Sequence, residues 1–534
     1  MSTQLKKRLL RLAISICLIA FSIMVWTPSG SSVKGFGVSS AQADMEVLRV
    51  DRGFLGTQVL DPMLSTSSMN WYLQLIYDGL VGVNPLTSKV STDWGLAESF
   101  EMARDGLIWT FHIREGIKFH NGDPLTAEDV AFSLDRAILG KKAITIASSV
   151  LGPAVKEIVA TGPYTVEIRL KEPRPTLDMD ISLASDVCDL IVPKKYIMKN
   201  GDDYFLNHPI GTGPYKFVEQ DIGHHITLEA VYQHWRVGDP KYKRIEIQYA
   251  PELSTRIAKL KVGGLDAIEI SQERYGEMKK LGFNLFSRGG RYWTISFHQI
   301  WDPKQPVADI RVRKALCLAI DKKKILDTIF GGVGELIGFA PGGKTTIGYE
   351  PVEPYPYDPE AAKKLLIEAG YPKGWEWTLY GTLQVGATET PLVTEAIASY
   401  WLKIGVKSKV QILDWPTLRA RWSKRELVNC AHLFGAQYRP TVSQYVNFVG
   451  SRAGLVTVLD PEIDRLLRIA ESNFDPKKRH EAAHKVQMKM HDEYLYGALF
   501  ETGPIWAAVP EIKSWDLGML CYDINLPYLF IRRK

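Results

Sequence analysis

From residue 96 to 137 the chain reads LAESFEMARDGLIWTFHIREGIKFHNGDPLTAEDVAFSLDRA, and its hydrophobic positions change period along the way. Residues 107–113 are β-branched and aromatic, which predicts a strand. Asp105-Gly106 ahead of them is a hairpin-type turn that pairs this strand with the extended run upstream. Asn121-Gly122-Asp123-Pro124 is a second turn cluster. Beyond it Thr126 stands three residues before Asp129, a capping-box pattern, and Val130, Leu134, Ala137 and Ile138 recur at helical spacing, so a helix is predicted there.

The same reading extends along the chain. Strands are predicted at 47–51, 164–170, 215–219, 226–231 and 244–249. The run Pro209-Ile210-Gly211-Thr212-Gly213-Pro214-Tyr215 is a tight turn entering a strand, and no phosphate-loop Lys-Ser/Thr follows it. The second half is richer in helix. Asp358-Pro359-Glu360, Asp460-Pro461-Glu462 and Asp475-Pro476 each place a capping Asp before a Pro at the first helical position. Residues 390–402 read as a helix closed by Gly405, and 406–413 as a strand. Strands alternating with helices predict an α/β fold with a partly parallel sheet. At 534 residues the chain is too long for one ordinary core, so two or three domains are expected.

Composition is ordinary for a globular protein, with 46% hydrophobic and 23% charged residues. Lys6, Lys7, Arg8 and Arg11, an apolar run over 12–26, and Ala41-Gln42-Ala43 form the pattern of a secretory signal, expected to span residues 1–43. The alternative is an uncleaved anchor, for which the run is short. Those 43 residues carry five of the 65 basic side chains and none of the 60 acidic ones, so the formal charge of +5 belongs to the signal and the remainder is neutral. That balance gives no support to a nucleic-acid or membrane-surface partner. Past the signal stand Cys188, Cys317, Cys430 and Cys521, without Cys-x-x-Cys spacing. One disulfide and buried free thiols are equally compatible with them.

Leu96-Ala97-Glu98-Ser99, Trp109-Thr110-Phe111, Gly116, Lys118-Phe119-His120-Asn121-Gly122 and Leu125-Thr126-Ala127-Glu128-Asp129-Val130 together resemble the signature region of the extracytoplasmic solute-binding proteins of ABC transporters. The group in question binds dipeptides, oligopeptides, nickel and opines. Leu60-Asp61-Pro62, Tyr77-Asp78-Gly79-Leu80-Val81 and the glycines around Thr212 extend the likeness. The resemblance implies a two-lobed periplasmic-binding-protein-like α/β fold with a hinge of two crossings and the larger lobe subdivided. On it, lobe I is expected at 44–292 with an inserted subdomain at about 63–207, lobe II at 293–496, and a return to lobe I at 497–534. It also implies a periplasmic, soluble, monomeric mature protein. Such a protein takes a peptide-like or opine-like solute between its lobes and hands it to permease subunits, with no cofactor and no metal.

Among candidate chemistries, His480-Glu481-Ala482-Ala483-His484 is a literal His-Glu-x-x-His, the pattern of a zinc peptidase. On a helical wheel Ala482, Ala483, Val486 and Met490 take the core face. His480, His484 and His491 then share a solvated flank, and that histidine stripe is the preferred reading. A secreted metallopeptidase and a binding-only sensor stay open as alternatives. The candidate ligand-binding residues are Leu55 and Thr57 in the loop after the first strand, Trp293 and His298 on the first expected crossing, Phe500 on the second, and Trp415, Phe434, Gln437, Tyr438 and Arg439. For the aromatic residues, core packing is the competing explanation. Peptide-binding relatives typically place an Asp near the segment 433–440 to pair with the peptide ammonium. This chain has no acid between Glu426 and Asp460, and it offers Arg439 there. An Arg fork suits a carboxylate or phosphate, so a ligand without a free amino group at that end is expected, unless Arg439 faces solvent or a structural acid.

Overall fold

The computed structural model describes residues 46–517 apart from 54, 66–68, 85–86, 88, 184, 186–188, 384–386, 453 and 516. The expected signal, Cys188, Cys521 and the tail from 518 lie outside the described residues. Seventeen strands among the described residues form three sheets. The first has the order β10 (Asn284–Ser287), β17 (Ile505–Ala508), β9 (Ala267–Ile270), β1 (Val47–Asp51), β8 (Arg244–Gln248), β7 (His225–Ala230) and β6 (Tyr215–Asp221). The second runs β12 (Glu335–Leu336), β16 (Tyr496–Thr502), β11 (Arg291–Phe297), β15 (Cys430–Gln437), β13 (Glu376–Leu383) and β14 (Lys407–Asp414). The third, antiparallel, is β2 (Ala97–Met102), β3 (Ile108–Ile113), β5 (Thr165–Leu170) and β4 (Val155–Gly162).

The third sheet and its helix follow the local reading closely. Gly106 takes φ +69° in the turn joining β2 to β3, and β3 alternates buried and half-buried residues as a one-sided strand should. The helix Ala127–Ile138 starts with both halves of the capping box: the Thr126 amide donates to Asp129 Oδ2 at 3.0 Å, and Asp129 Oδ1 also accepts from the Lys194 amide at 2.9 Å. Val130, Leu134, Ala137 and Ile138 join Trp109, Phe111, Leu177 and Ile181 in one core.

In the first sheet β1 pairs in parallel with both β8 and β9. In the second β13 pairs in parallel with β14 and β15, so both lobes are α/β. The helices Pro359–Glu368, Pro461–Ser472 and Pro476–Asp492 begin at the three Asp-Pro sites. Asp358 accepts from the Ala361 amide, Asp460 from Glu462 and Ile463, and Asp475 from Lys477. The largest core fills the second lobe, where Cys317 and Cys430 are buried free thiols, each pushed up to about 12 by burial.

The chain passes from the first sheet to the second at residues 288–290, between β10 and β11, and returns at 503–504, between β16 and β17. Residues 291–297, expected within a crossing, are instead a fully buried strand inside the second sheet.

Candidate functional site

Strand register locates the cleft. Asp51, at the end of β1, lies beside Ile268 of β9, and Ile270 lies beside Ile505 at the start of β17. In the other lobe Arg291, at the start of β11, lies between Gln437 at the end of β15 and Thr502 at the end of β16. Both crossings therefore sit at the carboxyl ends of the parallel strands of both sheets, where open α/β sheets bind ligands. Residues 51–53, 269–272, 291–292, 437–439 and 501–503 share that belt.

Charge in the belt is mostly paired. Arg52 donates its Nε to Glu269 Oε2 at 2.6 Å, and its guanidinium lies 5.9 Å from the centre of the Trp71 ring. Burial raises Asp51 to about 6, although the Gly53 amide donates to its Oδ1 at 2.6 Å and Arg256 lies close. Burial also raises Glu389, which feels Glu269 and, in the opposite sense, Arg291. Tyr438 stacks on Tyr292 with ring centres 5.4 Å apart and donates its hydroxyl to Glu501 Oε2 at 2.8 Å. Burial, then Glu501, holds the Tyr438 phenol far above its usual range. Lys344 lies 3.5 Å from Glu501 and also pairs with Glu335.

Arg439 carries a positive charge that no described residue pairs. It is 7% exposed and its carbonyl accepts from Thr346 Oγ1 at 2.7 Å, but among the described residues its guanidinium has no hydrogen bond or ion pair. Arg439 is thus a largely buried side chain whose cation has no partner among the described residues, unlike the matched group of Tyr438, Glu501 and Lys344 next to it in the chain and the sheet. The acid-free run along the sequence is only half of the picture, because the sheet order brings Glu501 from a distant strand onto Tyr438. Glu501 is already matched by Tyr438 and Lys344; Arg439 is not.

The structure gathers Gln437, Tyr438 and Arg439 at the cleft and carries other candidates away from it. Trp293, with Phe330 and Phe500, forms an aromatic cluster in the second-lobe core, and its indole N–H donates to Thr502 Oγ1 at 2.8 Å. His298 follows the far end of β11, about 26 Å from the crossing at a strand rise of about 3.3 Å per residue. It packs 4.8 Å from Trp422, near His432 and Phe434, all in the core. The burial of Trp293, Phe500 and Phe434 has one cause: β11, β16 and β15 are interior strands of the second sheet and are buried along nearly their whole length, and His298, just past β11, is buried with them. Trp415 is half-buried at the first position of the helix Trp415–Ser423, flanking that core. Leu55 is buried and its carbonyl accepts from Tyr72 OH at 3.0 Å; Thr57 is exposed, its hydroxyl 3.7 Å from Met69 Sδ. Nothing local distinguishes Arg52, Glu269, Arg291 and Glu389, which are brought to the cleft only by the strand order of the two sheets and, for Glu389, by the start of the helix Thr390–Leu402.

His480 and His484 lie on one helix flank with Nε2 atoms 3.4 and 3.7 Å from the two oxygens of Glu350, while Glu481 is exposed. Among the described residues no three His, Cys, Asp or Glu side chains are grouped to hold a metal ion.

Two α/β lobes, joined by paired crossings with a charged cleft at their strand ends, define a two-lobed solute-binding protein. Comparison with known proteins agrees. Residues 94–454 match the family model described as "Bacterial extracellular solute-binding proteins, family 5 Middle". The chain is 31% identical over 501 residues to heme-binding protein A of Haemophilus influenzae, covering 86% of this chain and 88% of that one. It is 29% identical over 383 residues to the dipeptide-binding protein of Escherichia coli, covering 66% and 70%. Among solved structures it superposes on the Helicobacter pylori periplasmic binding protein DppA in complex with peptide STSA, with TM-score 0.76 at 23% identity over 91% of this chain and 97% of that one. AgaA from A. tumefaciens R10 with agropinic acid gives TM-score 0.76 at 24% identity over 91% and 99%. The chain belongs to family 5 of the bacterial extracellular solute-binding proteins, the substrate-binding components of ABC import systems.

Proposed function

We propose that this protein captures a peptide-like or opine-like solute through a carboxylate of that solute, held by Arg439 in the interlobe cleft. It then delivers the solute to the permease subunits of an ABC importer. The observation that carries this is Arg439, 7% exposed and with no hydrogen bond or ion pair at its guanidinium among the described residues, beside Glu501, which Tyr438 and Lys344 already match. Relatives are named for heme, dipeptides and glutathione, and solved neighbours hold a peptide, agropinic acid or mannopinic acid. All of those ligands carry free carboxylates. The role is binding without catalysis, carried out in the periplasm after export by residues 1–43, and by a monomer. No helix among the described residues is long and apolar enough to cross a membrane.

The test is a thermal-shift panel of dipeptides, oligopeptides, opines, sugars and nickel, each with its carboxamide counterpart where one exists. A solute at 100 times its Kd stabilises by about 2.7 kcal/mol. The free acids should shift the melting temperature and the amides should not. Arg439→Ala should weaken binding about 10- to 100-fold, the worth of a hydrogen-bonded charge pair. Equal shifts by acid and amide, or unchanged affinity in Arg439→Ala, would refute the assignment.

A further inference from the structure

We infer that a buried polar clasp between the third-sheet unit and the second lobe sets how firmly the cleft stays closed, with Arg174, Asp180, Thr441 and Glu471 as its positioning residues. Arg174 follows β5 and is anchored in its own unit: its carbonyl accepts from Trp109 Nε1 of β3 at 3.1 Å. Its Nε donates to Asp180 Oδ2 at 2.7 Å, on the helix Leu177–Ile181, which packs into the same core as β3. From the other lobe Thr441 donates its hydroxyl to Asp180 Oδ1 at 2.6 Å. Glu471, on the helix Pro461–Ser472, places Oε1 3.4 Å from Arg174 Nη2 while Arg452 of its own lobe pairs with Oε2. Beside these contacts the Phe474 ring covers Gly106, where a Cβ would lie 2.6 Å from it.

The arrangement suits a reversible closure. Arg174 with Asp180 and Glu471 with Arg452 are each ion-paired within one lobe, so opening strands no bare charge and closing removes no unpaired charge from water. Closure adds one charge-assisted hydrogen bond, from Thr441 to Asp180, and an alternating line of four charges. Burial disfavours the Arg174 cation, but Asp180 and Glu471 more than offset it and hold its pKa above the usual Arg value. Thr441 is two residues beyond Arg439 on the segment that leaves β15, so the clasp and the unmatched cation move as one piece. A solute shifts the open and closed populations only by its differential affinity, and the clasp sets the gap it must act on.

The inference rests on the two-lobed fold and not on the identity of the solute, so its test uses the full chain with no solute added and can fail independently of the Arg439 assignment. Hydrogen exchange is followed in wild type, Thr441→Val and Glu471→Gln, with Glu462→Gln on the same helix as control. Loss of one hydrogen bond to a charged group corresponds to about a tenfold change in the opening equilibrium. Amides of residues 177–182, in the lobe opposite both substitutions, should exchange about tenfold faster in the two clasp variants and unchanged in the control. The melting temperature and the protection of β13 and β14 should be preserved. Unaltered exchange at 177–182, or acceleration spread evenly through both lobes, would overturn the clasp.

Discussion

In sequence His298 and Arg439 are both polar candidates for facing a ligand, and the fold sends them to opposite fates. His298 is 1% exposed, its Nε2 has no hydrogen-bond partner, and burial pushes its pKa down to about 3. His432, 6.1 Å away ring to ring, is pushed well down by burial and then by His298. The native state holds His298 neutral, while the unfolded chain protonates it below about 6.5. The unfolded state therefore binds more protons at mildly acidic pH. The stability contribution is complete above about pH 6.5 and is lost as pH falls toward 3, by about 2 kcal/mol at pH 5. Denaturation midpoints at pH 7.5 and 5 should differ less in His298→Leu than in wild type. A pH difference unchanged by that substitution would contradict the burial argument. What local sequence could not reveal is which face of β11 lies against what. Residues 291–297 form a strand, but its burial depends on segments that are remote in sequence, such as Phe330 against Trp293 and Trp422 against His298.

Secondary structure was legible wherever short-range chemistry determines it. The Asp105-Gly106 turn, the Thr126 box, the three Asp-Pro helix starts and the Gly405 stop each depend on contacts within a few residues, and each stands where the local pattern put it. Asp460 illustrates the energetics. Its Oδ1 accepts from the Glu462 amide at 2.8 Å and the Ile463 amide at 3.1 Å, satisfying two donors that no helical carbonyl reaches, and Lys489 pairs with its other oxygen at 3.0 Å. Asp460→Ala should lower stability by about 1 kcal/mol in chemical denaturation, and Asp460→Asn, which keeps the accepting oxygen, by less. Equal losses would mean that the Lys489 pair, and not the cap, carries the effect. The site was less legible than the elements, since Arg52–Glu269 and Tyr438–Glu501 join residues 217 and 63 positions apart.

At the scale of the whole molecule the two crossings must lie against each other, and one glycine permits it. A Cβ on Gly503 would stand 1.6 Å from the Arg288 carbonyl oxygen and 3.0 Å from the Gly289 nitrogen, so the neighbour is backbone of the other crossing and cannot rotate aside. A Cβ on Gly289 would likewise lie 2.3 Å from Glu501 Oε1, the carboxylate that Tyr438 holds. Paired, close-packed crossings restrict the lobes to opening and closing, whereas a single tether would leave them free to swivel. Gly503→Ala should therefore spread the crossings. The expected result is a loss of about 1–3 kcal/mol, typical of overpacking, with faster amide exchange in β10 and β17, whose pairing at Ser287 and Ile505 begins directly beside the contact. Gly276→Ala is the matched control. It lies in the helix Tyr275–Lys280 with nothing within 4 Å of an added Cβ, and should be neutral or stabilising by about 0.5–1 kcal/mol. If Gly503→Ala were as stable as the control, the crossings would have room that their contact at Arg288 denies, and the paired hinge would have to be supported elsewhere in the chain.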